Sequence, residues 1–135
     1  MNNLLRFLLP VTVFAVSTCI AQKTRSKQPN VIIIYADDLG YGDVGSYGGE
    51  IPTPNIDRIG KHGIRFTQFY DAAPVCTPSR YGLLTGSYPQ RSVHQLTNAL
   101  MPGDKNYLDT SETTIAEYLK SADYTTAIIG KWHLG

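Results

Sequence analysis

The sequence predicts an α/β fold built on a substantially parallel sheet. Two continuous apolar runs, Val31 to Tyr35 and Thr125 to Ile129, suit strands buried on both faces. The segments between them carry helix start and stop signals, and strands joined through helices make a parallel sheet. Each run is followed at once by polar residues: Asp37 and Asp38 after the first, Lys131-Trp132-His133 after the second. Ligands of such sheets collect at the carboxyl ends of the strands. Two polar clusters at equivalent strand ends therefore mark a candidate site.

The chain opens with a segment that reads as a secretory signal over residues 1–21. Met1 to Arg6 carries one positive charge, and Phe7 to Ile20 is apolar except for Pro10 and small hydroxyl residues. Cys19-Ile20-Ala21 places small residues before a cut ahead of Gln22. The run is short for a transmembrane span. An uncleaved anchor competes with this reading. A lipoprotein cut at Cys19 ranks below it, because Thr18 is bulkier than the usual residue there. The expectation is an exported protein, periplasmic or extracellular, with no stable membrane insertion after cleavage. Residues 22–28 form a short polar leader, and residues 29–135 carry the domain.

After the first strand, Gly40, Gly42, Gly45, Gly48 and Gly49 fall within ten residues and predict an irregular loop. Thr53-Pro54 opens a helix, with Thr as N-cap and Pro at the first helical position. Ile56 and Ile59 share a face, and Gly63 closes the helix. Ile64 to Tyr70 alternates apolar and polar residues as a short strand does. Pro78 is expected to open a second helix to about Thr85, ended by Gly86. Ser87 to Asp109, with Pro89, Pro102 and Gly103, reads as a long loop. Thr114 and Glu117 match a capping box, and the helix behind it puts Ile115, Tyr118 and Leu119 on one side. The second buried strand follows, closed by Gly130.

Composition excludes several classes. Twelve Lys and Arg against 11 Asp and Glu give +1, no electrostatic footprint for nucleic acid. With 42% hydrophobic and 17% charged residues, the chain is not a disordered polyelectrolyte. Two cysteines are too few for a disulfide-stapled miniprotein. Signal cleavage removes Cys19 and leaves Cys76 with no partner cysteine in this chain. An odd cysteine in an oxidising compartment requires an explanation.

Three constellations could carry chemistry. Adjacent Asp37 and Asp38 repel, and burial after an apolar strand adds desolvation; a hard divalent cation resolves both. A solvated turn is the plain alternative for an Asp pair. Cys76 lies just before a helix start, where backbone N–H groups and the dipole favour a thiolate nucleophile. A small buried apolar cysteine is the plain alternative. Arg80, one turn on, could fold back toward residue 76. Lys131 and His133, at i and i+2 of an extended segment, point to one side and suit an anionic substrate and a proton transfer. A surface Lys beside a packed His is the alternative. His62 reads as helix-end surface, and His94 has no assigned role.

The stretch Cys76-Thr77-Pro78-Ser79-Arg80-Tyr81-Gly82-Leu83-Leu84-Thr85-Gly86 resembles the first signature of the formylglycine-dependent, arylsulfatase-like sulfatases. Gly130-Lys131-Trp132-His133-Leu134-Gly135 resembles the second. Asn30 to Gly42 is similar to the family's opening strand and metal loop, and Thr53 to Asp57 to its following helix. The resemblance covers Pro29 to Gly135 in three ordered motifs. It implies an alkaline-phosphatase-like α/β fold of which residues 29–135 are the N-terminal part, a large mostly parallel sheet flanked by helices.

The same resemblance implies the chemistry. Cys76 would be oxidised to formylglycine by a modifying enzyme that reads Cys76, Pro78 and Arg80, which accounts for the unpaired cysteine. One hydroxyl of the aldehyde hydrate attacks sulfur, and the second collapses back and expels sulfate. Asp37 and Asp38 bind calcium, with magnesium the second choice, and modified Cys76 completes part of the shell. Arg80 stabilises the hydrate, Lys131 neutralises the sulfate group and His133 assists proton transfer. The implied substrate is a sulfated small molecule or carbohydrate. One departure is Asp123-Tyr124, where the family usually has Gly-Tyr; Asp tolerates the left-handed conformation with mild strain. The family's catalytic domain continues beyond the second signature with further metal ligands, another Lys and another His. The competing functions are a phosphonate or phosphate monoester hydrolase of the same superfamily and a catalytically dead, truncated exported protein.

Overall fold

The computed structural model describes residues 28–135. The expected secretory signal at 1–21 and the expected leader up to residue 27 lie outside the described residues. The chain divides into two compact units at Ile34 and Tyr35.

Of the first unit, residues 28–34 are described. They adopt neither helix nor strand. Ile32 and Ile34 are each 83% exposed. The β-branched run thus departs from the expected buried strand. The physical reason is that side-chain chemistry favours an extended backbone, whereas a strand is completed by a hydrogen-bonded neighbour. No ladder forms among the described residues of either unit.

The second unit, Tyr35 to Gly135, carries three α-helices. They are α1 (Pro54–His62), α2 (Cys76–Thr85) and α3 (Ile115–Ser121). Short 3₁₀ turns at Tyr41–Asp43, Gly45–Tyr47 and Pro89–Arg91 punctuate the loops between them. Among the described residues no helix is long and apolar enough to cross a membrane.

Helix α1 begins with Pro54 and ends where the Gly63 N–H reaches the Ile59 carbonyl, as the sequence predicts. Thr53 behaves differently from the expected cap. Its hydroxyl makes no bond to the helix N-terminus. Instead it accepts from the Gly45 N–H at 2.8 Å and donates to Asp57 Oδ1 at 3.0 Å. That same carboxylate oxygen takes the Ser46 N–H at 2.6 Å and the Ser46 hydroxyl at 2.7 Å. Asp57, in the first turn of α1, therefore ties down the glycine-rich loop. A Cβ at Gly45 would sit 2.6 Å from Asp57 Oδ2, so the close approach requires glycine there.

Helix α2 starts two residues earlier than expected, at Cys76, with Val75 as N-cap. Pro78 is its third residue. Proline is tolerated there because the first-turn N–H groups have no intrahelical partner. Gly86 closes α2 with φ 68°, a left-handed conformation natural to glycine. At α3 the expected capping box is present: the Thr114 side chain takes the Glu117 N–H, and Glu117 Oε2 takes the Thr114 N–H at 2.7 Å. Seven residues are too few to be helical without such help.

The core gathers beneath α2. Tyr81, Leu96 and Leu134 are each 1% exposed, with Leu84, Leu100 and Leu108 packed against them. Burial raises the Tyr81 pKa, and its hydroxyl hydrogen bond to Glu112 adds to the rise. The other Glu112 oxygen takes the Val93 N–H at 3.1 Å, which pins the long loop. The expected strands at 64–70 and 125–129 are irregular here, and Ile129 is 98% exposed. Asp123 has φ 65°, the left-handed conformation expected at that position.

Candidate active site

The first turn of α2 organises the site. Cys76 is its first residue, half-buried and a free thiol. Thr77 and Arg80 lie three residues apart and so share a helix face. Each clasps a carbonyl of the segment 131–133. Thr77 Oγ1 donates to the His133 carbonyl at 3.0 Å, and Arg80 Nη1 donates to the Lys131 carbonyl at 2.7 Å. The two signature stretches are thereby held side by side.

Asp37 closes the cluster. Lys131 Nζ donates to its Oδ2 at 2.8 Å, and Arg80 Nη2 to its Oδ1 at 3.2 Å. One carboxylate thus bridges two cations from distant parts of the chain. The hydrogen bond from Lys131, then that from Arg80, holds the Asp37 carboxyl below the usual carboxylate range. The same bond to Asp37 raises the Lys131 pKa, Cys76 adds a smaller push upward and Arg80 opposes it. The two shifts agree in sign with a formed ion pair. Side-chain exposures of 42% and 43% make it solvent-screened and a small contributor to stability. The Arg80 guanidinium also lies over the Tyr35 ring, 5.5 Å from its centroid.

His133 does not share a partner with Lys131. Its φ is 54°, so the segment is not extended through this residue and the expected i, i+2 alignment is broken. The ring Nε2 instead donates to the Leu100 carbonyl at 2.8 Å. Among the described residues two buried side-chain atoms lack a hydrogen-bond partner, Arg80 Nε and His133 Nδ1. One is a donor, and the other is an acceptor in the neutral ring. Both belong to residues tied into the clasp between α2 and the segment 131–133. A hydroxyl, which both donates and accepts, is the kind of group that could satisfy such a pair.

The metal reading fits in part. Asp37 and Asp38 offer the hard oxygen donors that calcium prefers. A calcium shell takes about six to eight oxygens, more than this pair supplies. Among the described residues no group of three or more His, Cys, Asp or Glu side chains stands ready to hold a metal ion. Asp38 has φ 55°, a left-handed conformation that turns the chain sharply after Asp37.

His62 lies at the end of α1, exposed, with Nδ1 on the Arg58 carbonyl at 2.8 Å, as expected of a surface histidine. His94 pairs with Asp109 at 3.1 Å and stacks near the Tyr107 ring, with centroids 4.2 Å apart. Sequence reasoning missed Thr77 and Leu100. Thr77 sits inside the first signature but reads there as a spacer, and Leu100, whose side chain serves the core, meets the site through its peptide groups, which leave no trace in residue type.

Comparison with known proteins places this geometry. The Sulfatase family model matches residues 29–135. N-acetylgalactosamine-6-O-sulfatase of Bacteroides thetaiotaomicron is 43% identical over 100% of this chain and 27% of its own length. Arylsulfatase A of Homo sapiens is 46% identical over 82% of this chain and 22% of its own length. The chain thus spans about a quarter of the length of these relatives. A solved structure, described as serving the metabolism of multiple glycosaminoglycans by Bacteroides thetaiotaomicron, superposes with a TM-score of 0.74 at 46% identity. It covers 82% of this chain and 23% of the other. That likeness gives the α/β class and the alkaline-phosphatase-like arrangement expected from the sequence, and the chain belongs to the Sulfatase family.

Proposed function

We propose that the protein hydrolyses sulfate esters, with Cys76 converted to formylglycine as the nucleophilic residue. The observation that carries this reading is the Arg80–Asp37–Lys131 cluster, built around the helix turn that presents Cys76. Its relatives named as sulfatases support the reaction class. A formylglycine hydrate at position 76 would supply both an attacking oxygen and a second hydroxyl for release of sulfate. Calcium held by Asp37 and Asp38, with further oxygens, would polarise the sulfate group.

The chain's own residues divide the remaining work. Lys131 offers a fixed cation to the sulfate oxygens, where charge must be matched without reorganisation. Arg80 anchors the Lys131 backbone and keeps a buried Nε donor with no protein partner among the described residues. His133 holds a proton on Nε2 and presents Nδ1 to exchange a proton with the group at Cys76. The substrate class is a sulfated carbohydrate, in keeping with the glycan-directed relatives. Export through the 1–21 signal and processing by a formylglycine-generating enzyme belong to the same reading.

The test uses the full-length protein. Mass spectrometry of the tryptic peptide from Phe66 to Arg80 should show an aldehyde in place of the Cys76 thiol. Turnover of an aryl sulfate should exceed that of the matching aryl phosphate. Full activity with an unmodified thiol, or a preference for phosphate, would overturn the proposal.

A further inference from the structure

We infer that Thr77 is a positioning residue that fixes His133 in the tautomer with Nδ1 free, an inference that rests on the reading of His133 as the proton-handling group. Thr77 is fully buried, and its hydroxyl both donates and accepts. It accepts the Leu100 N–H at 3.0 Å and donates to the His133 carbonyl at 3.0 Å. The Leu100 carbonyl in turn accepts from His133 Nε2 at 2.8 Å. One hydroxyl and one peptide neighbour therefore hold both the backbone and the ring of His133.

Three consequences follow from this closed set of bonds. A carbonyl has no proton to give, so Nε2 must carry one, and in the neutral ring Nδ1 is then a lone pair. That atom is buried and without a partner among the described residues, so its lone pair is not spent on another protein group. Next, His133 is held at φ 54°, a region that residues with a Cβ seldom occupy. The bond from Thr77 to its carbonyl is one of the contacts that hold it there. Lastly, Leu100 lies in the irregular loop between α2 and α3, and the bond on its N–H, together with its side chain packed on the core, keeps its carbonyl aimed at the ring. Thr77 directly follows Cys76 in α2, and the nucleophilic position and the histidine's anchor thus move as one.

Nitrogen-15 NMR of the full-length, histidine-labelled protein at neutral pH tests this directly, with the His133 signal assigned by its loss in His133→Gln. The expected result is a protonated Nε2 and an unprotonated Nδ1. Thr77→Val keeps the shape and removes the hydroxyl. Normalised to the aldehyde content at Cys76, it should lower kcat by about tenfold to a hundredfold with KM nearly unchanged. Thr77→Ser, which keeps the hydroxyl, should recover most of that loss, and it decides the matter if the valine variant does not fold. A proton on Nδ1 in the wild type, or wild-type kcat in Thr77→Val, would overturn the inference. His133→Ala separates the two readings: undiminished kcat there refutes the proton-handling role itself, whereas a large loss there with none in Thr77→Val refutes only the positioning role.

Discussion

Arg80 binds Lys131 by its main chain, not its side chain: Nη1 donates to the Lys131 carbonyl at 2.7 Å, while the Lys131 ammonium is left to reach Asp37 at 2.8 Å. Two cations are thereby stacked against one carboxylate without facing each other as a bare like-charge pair. The planar, forked guanidinium makes this possible, because it can serve a carbonyl and a carboxylate at once.

Arg80→Lys should accordingly fail despite keeping the charge. A single ammonium cannot span the Lys131 carbonyl and Asp37 Oδ1 together. Activity per converted Cys76 should fall by about a hundredfold or more, the scale seen when a preorganised charge-stabilising donor is lost. Because Arg80 also lies in the stretch read by the modifying enzyme, aldehyde content and kcat/KM are measured together. Wild-type kcat/KM per aldehyde in this variant would show that the fork is dispensable.

The metal role of Asp38 is best tested with Asn, since φ 55° would strain most other side chains and Asn tolerates the left-handed region. Asp37 already pairs with Lys131 and Arg80, so its neighbour faces a compensated carboxylate when metal is absent. Asp38→Asn should therefore leave the metal-free, full-length protein about as stable as the wild type. Calcium at about a hundred times its Kd should stabilise the wild type by about 2.7 kcal/mol through mass action and do much less for the variant. Calorimetry with and without calcium gives the comparison, and equal stabilisation of both proteins would mean that Asp38 is not a ligand.

The local signals were legible in the sequence, and the long-range ones were not. Pro54, Gly63, Gly86 and the Thr114–Glu117 box act within a few residues, and their helix ends stand where expected. The start of α2 was misplaced because Pro78 satisfies the preferences of any first-turn position, not the first alone. Thr53 read as an N-cap but serves the glycine-rich loop, since a hydroxyl can pair with whichever donor tertiary folding brings near. The β-branched runs announce an extended preference and cannot announce their hydrogen-bonding neighbours. Asp37, Cys76, Arg80, Lys131 and His133 were all legible as candidates by residue type. Their mutual arrangement runs through the carbonyls of Lys131, His133 and Leu100, and a carbonyl has the same chemistry in every residue.

Asp57 should make the glycine-rich loop sensitive to acid. Its carboxyl is held below the usual range, first by the Ser46 hydroxyl and then by Thr53 and the backbone around them. A group whose folded pKa is depressed stabilises the fold above its unfolded value, and the contribution is lost as pH falls through the folded value. The window therefore lies below the ordinary aspartate value of 3.8. Hydrogen exchange at the Ser46 amide, which donates to Asp57 Oδ1, reports it locally. Protection should persist in the wild type from neutral pH to below 3.8 and then fall, and Asp57→Asn should weaken it at neutral pH. Protection that is unchanged in the variant would remove Asp57 as the organiser of the loop.

Residues 22–135 expressed alone should neither stay monomeric nor turn over substrate. Ile32 and Ile34 are each 83% exposed, Phe69 is 77%, Tyr70 is 78% and Ile129 is 98%. Exposed apolar surface on this scale favours association over a dispersed monomer. The segments 31–35 and 125–129 carry strand-forming side chains and join no ladder among the described residues, which lets them template pairing with other chains. The core that opposes this is small, with Tyr81, Leu96 and Leu134 at its centre. Among the described residues no group of three or more His, Cys, Asp or Glu side chains stands ready to complete a calcium shell. Size-exclusion chromatography and aryl sulfate assays of this segment, beside the full-length protein, provide the check. A monomeric elution profile, a cooperative melt and measurable turnover from residues 22–135 would together show that these helices and loops suffice as an autonomous enzyme.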